Sequence, residues 1–301
     1  VSRRDYLHLL GEKTALERMI EETPIEDVLD RGSLVARLEE IEQRIAEARP
    51  NEREPARVRL TFRGRPVIGS HGIFAAFGTK AVSSFAESVT AMAASLTRPL
   101  AARGIIPNRD QHQMIITSTA LGSFGFELEE HVTLDETSAV AQALDRTQRL
   151  LQSTLGTDEE LADSASEVDS RALDKVRAFL GTLVENEAVC TMQVGDAQVR
   201  FSDVGQVRAS LERLSRENLR EDEEVLTGEL QGVLPSSRHF EFKLSETGQV
   251  IRGKIGPAIL DADALNQDLH RAMRIRVMVT RVGSGRPRYV LLELPHDAEG
   301  A

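Results

Sequence analysis

Between residues 57 and 64 the chain reads Arg57-Val58-Arg59-Leu60-Thr61-Phe62-Arg63-Gly64, and there the period of its apolar residues changes from helical to two. Val58, Leu60 and Phe62 share one side of an extended chain and Arg57, Arg59, Thr61 and Arg63 the other, which predicts a strand with one buried and one wet face. Gly64 supplies a turn into Pro66, Val67 and Ile68. Gly69-Ser70-His71-Gly72 then leads into Ile73, Phe74, Phe77, Ala81, Phe85, Val89 and Met92. Steps of three and four residues in that set predict a long amphipathic helix ending before Pro99. A strand running into a helix, with more strands to follow, predicts an α+β domain.

Upstream of the octet the pattern is helical. Leu7, Leu10, Leu16, Met19 and Ile20 mark one helix, and beyond Thr23 and Pro24 a second carries the seam Leu34, Leu38, Ile41 and Ile45. Asp30 or Ser33 caps it, and Pro50 to Pro55 ends it in a polar linker. About two heptads are too few for an independent coiled coil, so residues 1–54 read as a helical arm packed on its own domain. Leu34, Leu38, Ile41 and Ile45 are its candidates for self-association.

Downstream, strands are predicted around Met114 to Ile116 and Phe124 to Leu128, helices over 137–155 and 170–187, a hairpin over 189–194 and 198–201, and a helix over 204–214. These elements make up a central mixed α/β domain over residues 55–220. Asp158 to Asp169 holds six acidic residues and no basic one and reads as an exposed loop. Glu221-Asp222-Glu223-Glu224 reads as a charged joint. Beyond it, segments 225–234, 239–244, 250–255, 275–280 and 289–294 are strand-like, with one helical piece near Asp263 to Arg271. Turn chemistry separates them at Pro235-Ser236, Thr247-Gly248 and Gly283 to Pro287. On those strands and turns, residues 221–301 resemble the small β-barrel modules of the OB or SH3-like kind, an architectural resemblance with no diagnostic motif. The expected fold class is therefore α+β: a helical arm, a central mixed domain and a small C-terminal barrel.

Composition bounds the function. At 301 residues and 41% hydrophobic, the chain has the material for about two cores. A net charge of -11 argues against a protein that coats nucleic acid over its whole surface. The single cysteine, Cys190, excludes an intramolecular disulfide framework and a cysteine-only zinc site, which predicts a cytoplasmic location. No apolar run reaches membrane-spanning length and no secretory leader opens the chain, so no membrane association is expected.

Few constellations offer chemistry. Glu241 and Lys243 flank Phe242 at i, i+2, the acid and lysine of a metal-dependent nuclease, or the solvent face of a barrel strand with Phe240, Phe242 and Leu244 inside. Gly69 to Gly72 could cradle an anion, yet no Gly-Lys-Ser/Thr follows, and Ser70 as an N-cap is the simpler reading. Ser118, Ser123, Glu127 and Glu129 gather on the central strands as a candidate hydrolase pocket, or as a wet face paired to arginines of the octet. The seven histidines form no i, i+4 pair, and Cys190 reads as a buried free thiol. No catalytic residue, metal or cofactor is assigned. Between Arg252 and Arg288, eight basic residues stand against three acidic ones. Arg252, Lys254, Arg274, Arg276, Arg281, Arg286 and Arg288 are thus candidate binding residues, for phosphates or for an acidic partner or acidic region of the same chain. Tyr289 is the lone aromatic there. The leading expectation is a non-catalytic binding or assembly subunit with a protein partner or a second copy. Nucleic-acid binding through the barrel comes next, and a hydrolase or nuclease third.

Overall fold

The computed structural model describes residues 3–24, 27–47, 55–96, 99–101, 103–120, 124–131, 138–293 and 296–297. They fall into two compact units, one formed by residues within 1–56 and 130–138, the other by 57–129 and 139–301.

The first unit is a helical hairpin of α1 (Arg3–Glu22) and α2 (Val28–Glu47). Leu9, Leu16 and Ile41 are buried between them, with Tyr6, Leu34, Leu38 and Ile45 partly buried against that centre. The predicted seam is thus turned toward α1. Arg31 closes the connection by donating to the carbonyls of Ile20 (3.0 Å) and Thr23 (3.2 Å), which satisfies acceptors at the end of α1. The expected linker at 50–54 lies outside the described residues.

The second unit begins with β1 (Arg57–Gly64), the small hairpin β2 (Val67–Ile68) and β3 (Gly72–Ile73), and α3 (Ala75–Ser95). It continues through β4 (Met114–Ala120), β5 (Gly125–Glu130), α4 (Ala139–Ser153), α5 (Asp158–Ala165), α6 (Ser170–Glu185), β6 (Ala188–Val194), β7 (Ala197–Arg200) and α7 (Val204–Arg213). The sheet runs β4-β5-β1-β6-β7, with β1 antiparallel to both neighbours. Val58, Leu60 and Phe62 are buried as the alternation predicts, and Phe62 meets Phe77 of α3 edge to face at 5.5 Å. Every residue of α3 from Ser88 to Ser95 is buried, so its second half is a central helix and not an amphipathic one. There Ser88 and Ser95 donate their hydroxyls to carbonyls three residues back (2.7 and 2.8 Å), removing the penalty of burying them.

Three sequence expectations are overturned. The acidic stretch from Asp158 is a helix and not a loop: Thr157 and Glu160 form a reciprocal capping box, and Leu161, Ala162 and Ala165 are buried beneath the charges. Ser70 caps nothing, because it lies in the turn of a hairpin in which Val67 and Ile68 pair with Ile73 and Gly72; α3 starts at Ala75, and Phe74 before it offers no side-chain cap. The charged joint is part of a strand, since Glu221 to Glu224 pair with Thr280 to Val277.

That strand is β8 (Leu219–Leu234), followed by β9 (His239–Leu244), β10 (Val250–Ile255), a 3-10 turn (Asp263–Asp268), β11 (Ala272–Val282) and β12 (Arg288–Leu291). A short β13 (His296–Asp297) adds to β11. β8, β9 and β10 pair antiparallel, β12 lies parallel to β10, and β11 bridges β12 and β8 antiparallel, so five strands close into a barrel. Leu230, Phe240, Phe242, Ile251, Leu265, Ile275 and Val277 fill it. The register of β8 on β9 shifts between Leu230 and Gly232, which bends the long first strand around the barrel. This barrel and the helix-backed sheet belong to the same compact unit.

Candidate functional site

On the open side of the sheet, register places Arg57 opposite Glu129 and Arg59 opposite Glu127. Arg59 grips Glu127 through two donors (2.9 and 2.6 Å), Ser118 of β4 donates to the same carboxylate (2.8 Å), and Arg57 stands 3.1 Å from Glu129. Hydrogen bonds from Arg59 and Ser118 hold the Glu127 carboxyl below its ordinary value. It is a saturated acceptor, poorly suited to take a proton in the neutral range. The structure thus brings Ser118, Glu127 and Glu129 together on a wet strand face; Ser123 lies outside the described residues. Phe124, which precedes β5, meets Phe126 edge to face (5.9 Å).

Cys190 is buried in β6 and burial pushes its thiol up, away from the reactive thiolate. Among the described residues no group of three or more His, Cys, Asp or Glu could hold a metal ion, and no helix is long and apolar enough to cross a membrane. An open groove of about 640 Å³ follows α3, lined by Ala75, Ala76, Thr79, Lys80, Ser83, Ser84 and Glu87.

On the barrel, Phe240 and Phe242 face in while His239, Glu241 and Lys243 alternate outward, as does Arg252 on the neighbouring strand. Glu241 pairs with Arg252 across the strands at 2.8 Å. Arg276 pairs with Glu293 at 3.3 Å. Lys254 reaches Glu167 just beyond α5, and Arg288 reaches Asp163 on α5, with a second contact at 3.3 Å. Arg274, Arg281 and Arg286 form no ion pair among the described residues. The seven basic candidates therefore divide between an outward β10–β12 surface, bearing Arg252, Lys254 and Arg288, and the β11 side with its following loop.

What the sequence did not disclose is the junction between barrel and helices. Asp163 and Glu167 looked like solvated loop charges, yet they hold the barrel. Around them lies a small polar cavity of about 190 Å³ lined by Arg146, Arg149, Asp163, Ser164 and Glu167. Arg146 donates to the Glu167 carbonyl at 2.7 Å, and burial pushes its guanidinium down. At the root of the barrel, burial pushes the Glu221 carboxyl up to about 7, with Arg177 and Arg216 opposing and Asp169 and Asp174 reinforcing that shift. Glu221 lies opposite Thr280, whose buried hydroxyl has no hydrogen-bond partner among the described residues. The only sequence signal for this junction was the capping pattern Thr157-x-x-Glu160 ahead of Leu161 and Ala162.

Comparison of the chain with protein-family models, with curated proteins and with solved structures yields no match.

Proposed function

We propose that the chain is a non-catalytic assembly subunit of the cytoplasm that associates with a second copy through its helical hairpin and presents the sheet and barrel for binding. One observation carries this reading: two helices of 20 residues each share, among the described residues, three buried apolar side chains, Leu9, Leu16 and Ile41. Isolated helices of this length are marginal in water, and a hairpin so thinly centred gains most by laying its open stripe against another to make a four-helix bundle. Leu34, Leu38 and Ile45 remain partly open for this, and Met19, Leu29 and Val35 are exposed. The satisfied ion pairs around Glu127 and Glu129 favour a binding protein over a hydrolase. The test is light scattering on the full chain. A dimer is expected, with Met19→Glu/Val35→Glu monomeric at unchanged helix content, because neither residue belongs to the hairpin's own core. A wild-type chain monomeric at every concentration overturns the proposal.

A second reading has its own support. We read the barrel as OB-type: its strands close in the order first, second, third, fifth, fourth, the third and fifth run parallel, and the first is long and bulged. Barrels of that type bind oligonucleotides on the second and third strands and the flanking loops. Here those strands are β9 and β10, and the loop between the fourth and fifth carries Arg286.

A further inference from the structure

Resting on that second reading, we propose that the outer face of β9, β10 and β12 binds the phosphate backbone of a single-stranded nucleic acid, and that the acidic segment Asp158 to Glu167 occupies half of that face as a built-in competitor. Outward polar residues of these three adjacent strands form one surface: His239, Glu241, Lys243, Arg252, Lys254 and Arg288. Four are basic and one is acidic. Arg286, exposed in the loop before β12, stands next to them in sequence.

The acidic segment cancels half of this charge, and Glu241 pairs with Arg252 on the face itself. Asp163 holds Arg288 and Glu167 holds Lys254, while Asp158 is paired with Arg213 of α7 at 2.8 Å and stands near the turn at Gly283, in the loop between the fourth and fifth strands. Two carboxylates of one segment thus sit on basic residues at the edge of the barrel where OB-type modules receive phosphates. The segment contains no basic residue, as a phosphate mimic requires. Side-chain exposures of 58% for Asp163 and 29% for Glu167 keep both pairs within reach of solvent and salt, so a polyanion can displace them. The surface carries no stacking aromatic, so the bound strand is held by its phosphates and not read by its bases.

The experiment uses the full chain and a fluorescently labelled oligothymidylate, followed by anisotropy. Asp163→Asn/Glu167→Gln is expected to bind at least about tenfold more tightly than the wild type at about 50 mM salt and to lose that gain at about 200 mM. Lys254→Gln/Arg288→Gln breaks the same ion pairs without freeing basic charge and is expected to gain nothing. Adding Lys243→Glu/Arg252→Glu to the first variant is expected to abolish binding. Thermal melts by circular dichroism confirm that each variant is folded. The competitor is overturned if Asp163→Asn/Glu167→Gln binds no more tightly than the wild type, or if Lys254→Gln/Arg288→Gln gains equally, which marks simple loosening. If the wild type already binds through Lys243 and Arg252, the barrel reading survives that failure; if no variant binds, both fall. Equal competition by polyglutamate overturns nucleic acid as the partner and points to an acidic protein.

Discussion

Glu221 shows how one residue at a junction sets a pH dependence. Its carboxyl is drawn out of water where β8 leaves the helices, facing Asp169, Asp174, Arg177 and Arg216, and burial raises it from an ordinary 4.5 to about 7. The folded protein therefore binds more protons than the unfolded chain between those values, so this group's contribution to stability falls as pH rises through that window and is level above it. Discounted for partial exposure, its ionisation costs about 2 kcal/mol by about pH 8. Glu221→Gln is expected to match the wild type in urea unfolding near pH 4 and to exceed it by about that amount near pH 8. A constant difference across the range would place the effect elsewhere. A second residue-scale prediction concerns Gly125, where an added Cβ would stand 2.0 Å from the Leu60 carbonyl oxygen of the paired strand. Gly125→Ala must push β5 from β1 and is expected to lower stability by about 3 kcal/mol, read by the same urea titration.

At the scale of elements, what was legible and what was not divides on physical grounds. The octet of β1, the hairpin β6–β7 and the barrel strands β9 and β10 were readable because one face is buried and the other wet, so the period of two survives. Register even placed the octet's arginines on Glu127 and Glu129 as sequence pairing suggested. The helix α5 is hidden in the sequence because six acidic residues between Asp158 and Asp169 surround its short apolar set, Leu161, Ala162 and Ala165, although the capping residues Thr157 and Glu160 stand at its start. The start of β8 was hidden because Asp222, Glu223, Glu224 and Val225 are all exposed, on both faces, so no alternation marks it as strand. Its strand character comes from pairing with β11, a long-range fact. The cap of α5 yields a prediction. Thr157 accepts from the Glu160 amide at 3.2 Å and donates its own amide to the Glu160 carboxylate at 2.7 Å. Thr157→Ala is expected to cost about 1 kcal/mol in urea unfolding, while Thr157→Ser restores most of it. Loss of nothing would mean that burial of Leu161 alone holds the helix.

For the whole molecule, the question is what keeps the barrel closed and attached. Its interior is apolar and needs no help, but closure passes through β12, a strand of four residues that pairs with β10 on one side and β11 on the other. The first residue of that strand, Arg288, is clamped to Asp163 on the helical side of the same unit. The helices therefore share in closing the barrel, and they do so through an exposed ion pair that salt weakens. Raising ionic strength from about 0.1 to about 1 M shortens the screening length from ~10 to ~3 Å, so the clamp should loosen while Phe240, Phe242 and Ile275 stay packed. Hydrogen exchange followed by mass spectrometry is expected to quicken over Arg288 to Leu291 at high salt, and equally in Asp163→Ala at low salt, with the β8–β9 pairing unchanged in both. Exchange in β12 that ignores both perturbations would show that main-chain pairing alone seals the barrel, leaving the acidic segment free to part from its basic face without opening the fold.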